Sequence, residues 1–385
     1  MKLTQKLAVL AAAMTIGSAA QAQESSVTLF GNLDLGLQYN TISAPNLDSA
    51  SHLGMASGQS RTSMFGIRGV ESLGNGNSIV WNLTSLIDAG NGALSDKNTL
   101  FNQQSTLGFR NETVGQVDFG RQQNMASKYF FAIDPFATKY GQAGMGASFG
   151  ASDNARYSNM IMFQSQTYAG FSAGAGYSFN TGNSAVYANG PIPVVTDGSG
   201  GYATTNNQRA VTLGASYVNG PLTVVATYDQ VMPQTGVAGV DSAPTPKEWI
   251  LGGSYDFNVV KASLAYGQTR SGWIAGTQPL ANSGINPNWG NSAVLYKDGF
   301  GANSYLAGLT APVGANGKVL ASYQAATPTG DLTGYGATQS VYSVGYEYAF
   351  SKRTTAYTYL SYANNYAMLD GVKNTLVGAG MRHAF

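Results

Sequence analysis

The residues of this chain that could do chemistry are few, and most of them are ionic. There are two histidines, His52 and His383, and no cysteine. Isolated histidines far apart in the chain do not assemble with a serine and a carboxylate into a triad. Without cysteine or clustered histidine there is no transition-metal site either, so no catalytic residue, metal ligand or cofactor-binding residue is expected. What remains is charge set into alternating stretches. Arg68 (SMFGIRG), Arg110 (STLGFRN), Arg156 (NARYSNM) and Arg382 (GMRHAF) fall on the polar parity of their stretches, as do Asp34, Asp118, Lys261 and Glu347. The segment from Gln122 to Asp153 adds Lys128, Asp134, Lys139 and Asp153. Fixed charges along a water path break no bonds; they sort ions by sign and orient dipolar solutes. A basic wall of Arg68, Arg110, Arg156 and Arg382 facing Asp134 and Asp153 would set a transverse field. Replacing Arg68 and Arg156 by neutral residues should then shift selectivity towards cations.

The elements that must position these charges have period two. In Val27 to Tyr39, Val27, Leu29, Gly31, Leu33, Leu35, Leu37 and Tyr39 share one face, while Thr28, Phe30, Asn32, Asp34, Gly36 and Gln38 share the other. One face suits lipid and the other water. The same alternation recurs in 171–179, 211–217, 222–228, 249–257 and 342–350. Short breaks with turn residues (73–77, 219–221, 351–353) alternate with long ones rich in Gly, Asn, Ser and Pro (41–58, 180–206, 231–246, 271–301, 326–338). Short turns at one end and long loops at the other describe an outer-membrane barrel. About sixteen strands are expected, as in a water-filled channel. An open sheet edge in hydrocarbon would leave backbone groups unpaired, so the last run, Thr375 to Phe385, must meet the first. The fold class is all-β: a transmembrane antiparallel barrel.

The segment 122–153 fits neither turn nor strand. Its aromatics, Tyr129, Phe130, Phe131, Phe136, Tyr140 and Phe149, give way to the small residues of 141–150. A long, partly apolar loop that packs needs a concave surface, which the barrel supplies. Tyr and Phe at strand ends (Tyr39, Phe171, Phe179, Tyr217, Tyr228, Phe257, Phe350 and Phe385) read as interfacial belts. Phe30 is the one aromatic placed clearly on a polar face, which is too few for a sugar track.

Composition agrees. Charged residues make up 10% of the chain, against about 25% in soluble domains. The N-terminus carries Lys2 and Lys6, an apolar run from Leu7 to Ile16 and the pattern Ala20-Gln21-Ala22, the layout of a cleavable export signal over residues 1–22. The remainder, 23–385, reads as one barrel domain. Its balance of charges, close to even, is not that of a nucleic-acid binder.

In order along the chain, SSVTLFGNLDLGL, SMFGIRGVESLGNG, GQVDFGRQ leading into AIDPF, NARYSNMIMFQS, GFSAGAGYSF and the terminal RHAF resemble the general trimeric porins of Gram-negative outer membranes. The resemblance implies sixteen strands, a homotrimer in outer-membrane lipid and lipopolysaccharide, passive diffusion of ions and small hydrophilic solutes, and a third loop folded inward to narrow the pore, here 122–153. It implies that the terminal Phe385 is the signal for the outer-membrane assembly machinery. Met64 and Thr106 stand where relatives often carry Arg, and the loop lacks their acid-rich turn, so the field across the constriction should be weaker. The alternatives are a substrate-selective channel for organic anions or short peptides, contacting them through Tyr129 and Tyr140, and a barrel enzyme. The latter would need a polar cluster at the rim that the sequence does not show.

Overall fold

The computed structural model describes residues 25–46, 48–96, 98–181, 207–233, 244–274, 298–330 and 336–385. The expected export signal lies outside them, as do most of the long breaks at 180–206, 231–246 and 271–301. The described chain is almost wholly strand: β1 (Ser26–Ser43), β2 (Ala50–Ser57), β3 (Met64–Gly74), β4 (Asn77–Asp88), β5 (Ala93–Leu94), β6 (Gln104–Asn111), β7 (Gly115–Gln123), β8 (Arg156–Ser165) and β9 (Phe171–Ser178) form the first half. The second half holds β10 (Arg209–Asn219), β11 (Leu222–Met232), β12 (Lys247–Asp256), β13 (Lys261–Arg270), β14 (Gly301–Val313), β15 (Gly317–Thr329), β16 (Gln339–Ala349), β17 (Thr354–Asn364) and β18 (Lys373–Ala384).

Neighbours in sequence pair antiparallel, and β1 closes on β18 from Asn32 opposite Ala384 to Ser43 opposite Lys373. β2 and β3 pair with successive parts of β1 and act as two halves of one wall strand. With the two-residue β5 set aside, the barrel has sixteen strands, and no sheet edge is left for lipid to strip of hydrogen bonds. The seam runs to the last residue, since the backbones of Phe385 and Gly31 exchange two hydrogen bonds of 3.1 Å. The Phe385 ring lies over Gly31, where any Cβ would collide with it.

The alternation assigned the faces correctly. Leu29, Leu33, Leu37, Ile67, Leu107, Phe119, Leu213, Leu251, Leu264, Leu309 and Val344 are all exposed on the outside, an apolar surface suited to lipid rather than water. Aromatic pairs rim it: Phe171–Tyr217 at 4.3 Å, Tyr255–Phe257 at 4.6 Å and Tyr348–Phe350 at 5.1 Å near the short turns. Trp249, Tyr266 and Tyr305 form a second row at spacings of 5.4 and 5.2 Å towards the other end. The turn between β3 and β4 uses Gly74, Asn75 and Gly76, all at positive φ, as the Asn-Gly signal requires.

The break expected at 41–58 is mostly strand. Ile42 faces Ala50 and Leu35 faces Ser57, so β1 and β2 continue their ladder well beyond the alternating stretch. Much of β2 is exposed on successive residues, and a strand wetted on both faces leaves no period-two trace. Phe30 is also not the sole inward aromatic, because Tyr357 and Tyr359 on β17 are buried against the loop.

The core lies inside the barrel, between wall and loop. One cluster joins Met125, Phe130, Ile133, Met145 and Phe149 to Tyr157, Met160 and Met162 of β8 and to Val225, Ile250 and Leu306. A second joins Phe136, Tyr140 and Ala143 to Leu320, Tyr357, Tyr359 and Leu376. Glycines on the inner wall make the close approach possible: a Cβ at Gly214 would meet Met125 and Tyr129, and one at Gly308 would come within 2.4 Å of Pro135. Phe130, Phe136 and Phe149 are each fully buried, worth roughly 1.5–3 kcal/mol apiece.

Candidate functional site

The inward loop runs between the end of β7 at Gln123 and the start of β8 at Arg156. It opens with a short helix, α1 (Met125–Tyr129), capped by Asn124, whose side chain accepts from the Ser127 N–H at 3.2 Å. Short 3-10 turns follow at Phe130–Ala132, Gly141–Ala143, Met145–Ala147 and Gly150–Ser152. So irregular a backbone inside a barrel must find partners for its amides and carbonyls, and wall side chains supply them. Gln324 donates to the carbonyls of Ala143 and Gly144 at 2.7 and 3.1 Å, Gln339 donates to that of Ala147 at 2.7 Å, and Gln142 donates back to those of Ser361 and Asn374. Tyr140 sits in the left-handed region with φ of 65°. That costs on the order of 1–3 kcal/mol, offset by its amide bond to the Gln59 carbonyl at 2.7 Å, its hydroxyl bond to Glu347 and edge contacts with Phe136 and Tyr359.

Beside this loop lies a cavity of about 650 Å³. Its charged lining residues are Arg61, Lys128, Lys139, Lys352, Arg353 and Arg382, with no carboxylate among the lining. The nearby acids are turned elsewhere. Asp34 accepts the backbone N–H groups of Ser60 and Arg61 at 2.8 and 2.6 Å and the Tyr357 hydroxyl. Glu347 sits between Lys318 and Arg382, each at 3.1 Å, and also takes the Tyr140 hydroxyl.

Of the four expected wall arginines, the structure brings Arg382 to this cavity. Its guanidinium holds Ser60 Oγ at 2.6 Å and Glu347 Oε2 at 3.1 Å. Arg156 stands at the loop's end, bonded to Gln103 Oε1 at 2.6 Å; Gln103, not Arg156, lines the cavity. Arg68 lies with its guanidinium 5.1 Å from the Phe30 ring, and Arg110 lies opposite Ser78 and Gln116, towards the short turns; neither reaches the cavity. Of the four, then, Arg382 alone lines this cavity; sharing one parity on tilted, staggered strands does not by itself bring side chains to one place.

The loop charges divide similarly. Lys128 lines the cavity and donates to Gln122 Oε1 at 3.1 Å, and Lys139 lines it too. Burial lowers both ammonium groups to about 8, against the opposing pull of Asp118 on Lys128 and of Asp153 on Lys139. Asp134 does not face the arginines, because its carboxylate accepts the N–H groups of Phe136, Thr138 and Met145 at 3.0, 2.8 and 2.8 Å. Burial pushes it up to about 6, with those three donors acting in the opposite direction. Burial also raises Asp153, which lies within reach of the Lys139 and Arg156 charges. Neither Asp134 nor Asp153 lines the cavity, whereas Lys128 and Lys139 from the loop and Arg61 and Arg382 from outside it do.

The cations missed from the sequence are Lys352 and Arg353, in the break at 351–353 read only as a short turn, and Arg61. Arg61 follows β2 in the break before β3 and stands 4.1 Å above the Phe131 ring on the loop, bridging the gap by a cation–π contact. Its only sequence signal is the run of small and polar residues around it, Gly58 to Ser63, which reads as an ordinary loop. Tyr129 and Tyr140, the expected solute contacts, do not line the cavity: Tyr129 packs over Gly214, and Tyr140 is buried.

The comparisons with known proteins agree with this architecture. A family profile described as Gram-negative porin matches residues 7–367. An outer membrane porin protein of Bordetella pertussis is 42% identical over 99% of this chain and 100% of its own length. Outer membrane porin protein 32 of Delftia acidovorans is 29% identical over 99% of this chain and all of its own. Among solved structures, the anion-selective porin from Comamonas acidovorans has 25% identity and a TM-score of 0.68, covering 94% of this chain and 100% of that one. A trimer form of Vibrio cholerae OmpT shares the fold at 14% identity and a TM-score of 0.58, over 94% of this chain and 100% of that one. The chain belongs to the Gram-negative porins, channel-forming barrels of the outer membrane.

Proposed function

We propose that this porin is a general diffusion channel for ions and small hydrophilic solutes, that the loop at 122–153 is its constriction, and that it favours anions. The observation that carries the preference is the cavity lined by six cationic side chains and no carboxylate. An ion passing ~5 Å from one such charge in a water-like dielectric gains or loses roughly 0.8 kcal/mol before screening, so several charges decide the sign of the preferred ion. The resemblance to a structure titled anion-selective points the same way. No observation favours a dedicated organic-anion or peptide channel, and membership of the porin family supports a channel rather than a barrel enzyme.

The same reading includes removal of residues 1–22, a homotrimer with lipopolysaccharide around its outer face, and recognition of Phe385 by the assembly machinery. The test of selectivity is the reversal potential of the protein in planar bilayers across a salt gradient. The expected sign is that of anion preference, and Arg61→Gln should lower the anion-to-cation permeability ratio about twofold. A cation-signed potential in the unaltered protein would sink the proposal.

A further inference from the structure

Both ends of the constriction loop meet on one pair of carboxyl groups that the permeation path does not use. Asp229 on β11 and Glu248 on β12 are directly opposite each other across the strand pair, both inward and both buried. Asn124, the cap of α1 at the loop's start, donates from Nδ2 to Asp229 Oδ1 at 2.8 Å. Ala151, in the turn that closes the loop, donates its N–H to Glu248 Oε2 at 2.7 Å. Asn124 Nδ2 also reaches the Ala151 carbonyl at 2.8 Å, so beginning and end are tied to one another as well as to the wall.

Each carboxyl keeps one oxygen, Asp229 Oδ2 and Glu248 Oε1, buried and without a hydrogen bond. No salt bridge among the described residues involves either group. Arg209 on β10 and Lys247 on β12 sit on the opposite strand parity to the pair, and the nearer charged and titratable groups are engaged elsewhere. Lys128 of α1 bonds Gln122 and Met162, and Asp153, beyond the closing turn, lies with Lys139 and Arg156. Arg270 on β13 bonds the Thr269 carbonyl and Thr329, and Tyr228 bonds Gln230. From β10 and β13 the pair is flanked by Thr212 and Thr269, which carry no charge and offer only hydroxyl donors to Asp229 and Glu248. Two like charges in adjacent, dry positions without a counter-ion are strongly disfavoured, and a carboxyl pair in that situation keeps a proton.

We propose that Asp229 and Glu248 are the positioning residues of the constriction loop: a proton retained by the pair lets it clasp both loop ends, and its release to the lumen in alkaline medium loosens them. This rests on the loop being the constriction. As the proton leaves, the two carboxylates repel, water enters, and the bonds to Asn124 and Ala151 are exchanged for hydration. The loop then fluctuates about its anchored ends.

The test is open-channel current noise of the full-length protein in planar bilayers from about pH 5 to about pH 9, with Glu248→Gln and Asp229→Asn beside it. Each amide keeps the carbonyl acceptor for its loop partner and cannot ionise. The expected result is noise that rises several-fold with pH in the unaltered protein and stays level in both variants, while the reversal potential keeps its pH dependence in all three. A flat profile in the unaltered protein, or an unaltered slope in the variants, overturns the proposal. Infrared spectroscopy of the folded protein supplies a second reading. A protonated-carboxyl C=O band present at neutral pH, lost in alkali and absent from Glu248→Gln supports the pair; a spectrum without it overturns it. That band does not depend on where ions are filtered. Were the constriction to lie elsewhere, the band would persist while the noise failed to respond to the loop-loosening variant Asp134→Asn.

Discussion

At the scale of single residues, the site works by separating acids from cations. Asp34 and Glu347 are inward and close to the lumen, but backbone N–H groups, tyrosine hydroxyls and neighbouring cations engage their carboxylates. Arg61 and the loop lysines line the cavity, although partly buried. Because burial lowers Lys128 and Lys139 to about 8, a rise in pH through that value removes positive charge from the lumen. Anion preference should therefore be level from about pH 5 to 7 and fall above about 8, as reversal potentials would show; Lys139→Met should remove part of the decline. Little of this was legible beforehand. Alternation placed Arg382, and the segment 122–153 contained both lysines, but parity carries no information on height along the pore. Arg68 and Arg110 shared the right face but do not line the cavity, while Arg61, Lys352 and Arg353 lay in breaks with no periodicity at all.

At the scale of elements, the loop is a folded insert with its own internal anchor. Asp134 gathers three backbone N–H groups that come from as far along the chain as Met145, and so fixes the fold-back of the loop on itself. Asp134→Asn keeps the size but turns one acceptor into a donor facing N–H groups. The expected loss is about 1–3 kcal/mol of local stability, seen as faster proteolysis between Phe130 and Met145 and as noisier single-channel current. The wall side has a matching requirement. Gly308→Val would press a branched side chain into Pro135, lifting the loop's middle and raising conductance; an unchanged conductance would show that the loop does not set the narrow section. The need for something concave was readable from the aromatics of 129–149. The glycine track that receives them was not, since glycine in a strand reads equally as a bend or a weak point.

For the whole molecule, the sixteen-strand closure, the lipid-facing stripe and the asymmetric ends followed from period two and from break lengths, because in hydrocarbon the backbone leaves few alternatives. What escaped were places where water bathes both faces, as in β2, and lengths of loop that carry no alternation. Deleting Phe385 should lower the yield of folded, heat-resistant barrel. Gly31→Ala, which crowds the same ring without touching the terminus, should lower stability with less effect on assembly rate, as timed by electrophoretic mobility in unheated detergent. If assembly slows equally in both, the terminal residue acts through the seam alone. Channel insertion in steps of three would report the trimer.

The seam has a further meaning for the cell. β1 and its seam partner β18 lie at opposite ends of the order of spans, so the seam-side row of β1 amides is satisfied only when all sixteen spans are in place. A barrel lacking β18 would expose that row to hydrocarbon as an open edge, rather than close as a smaller pore.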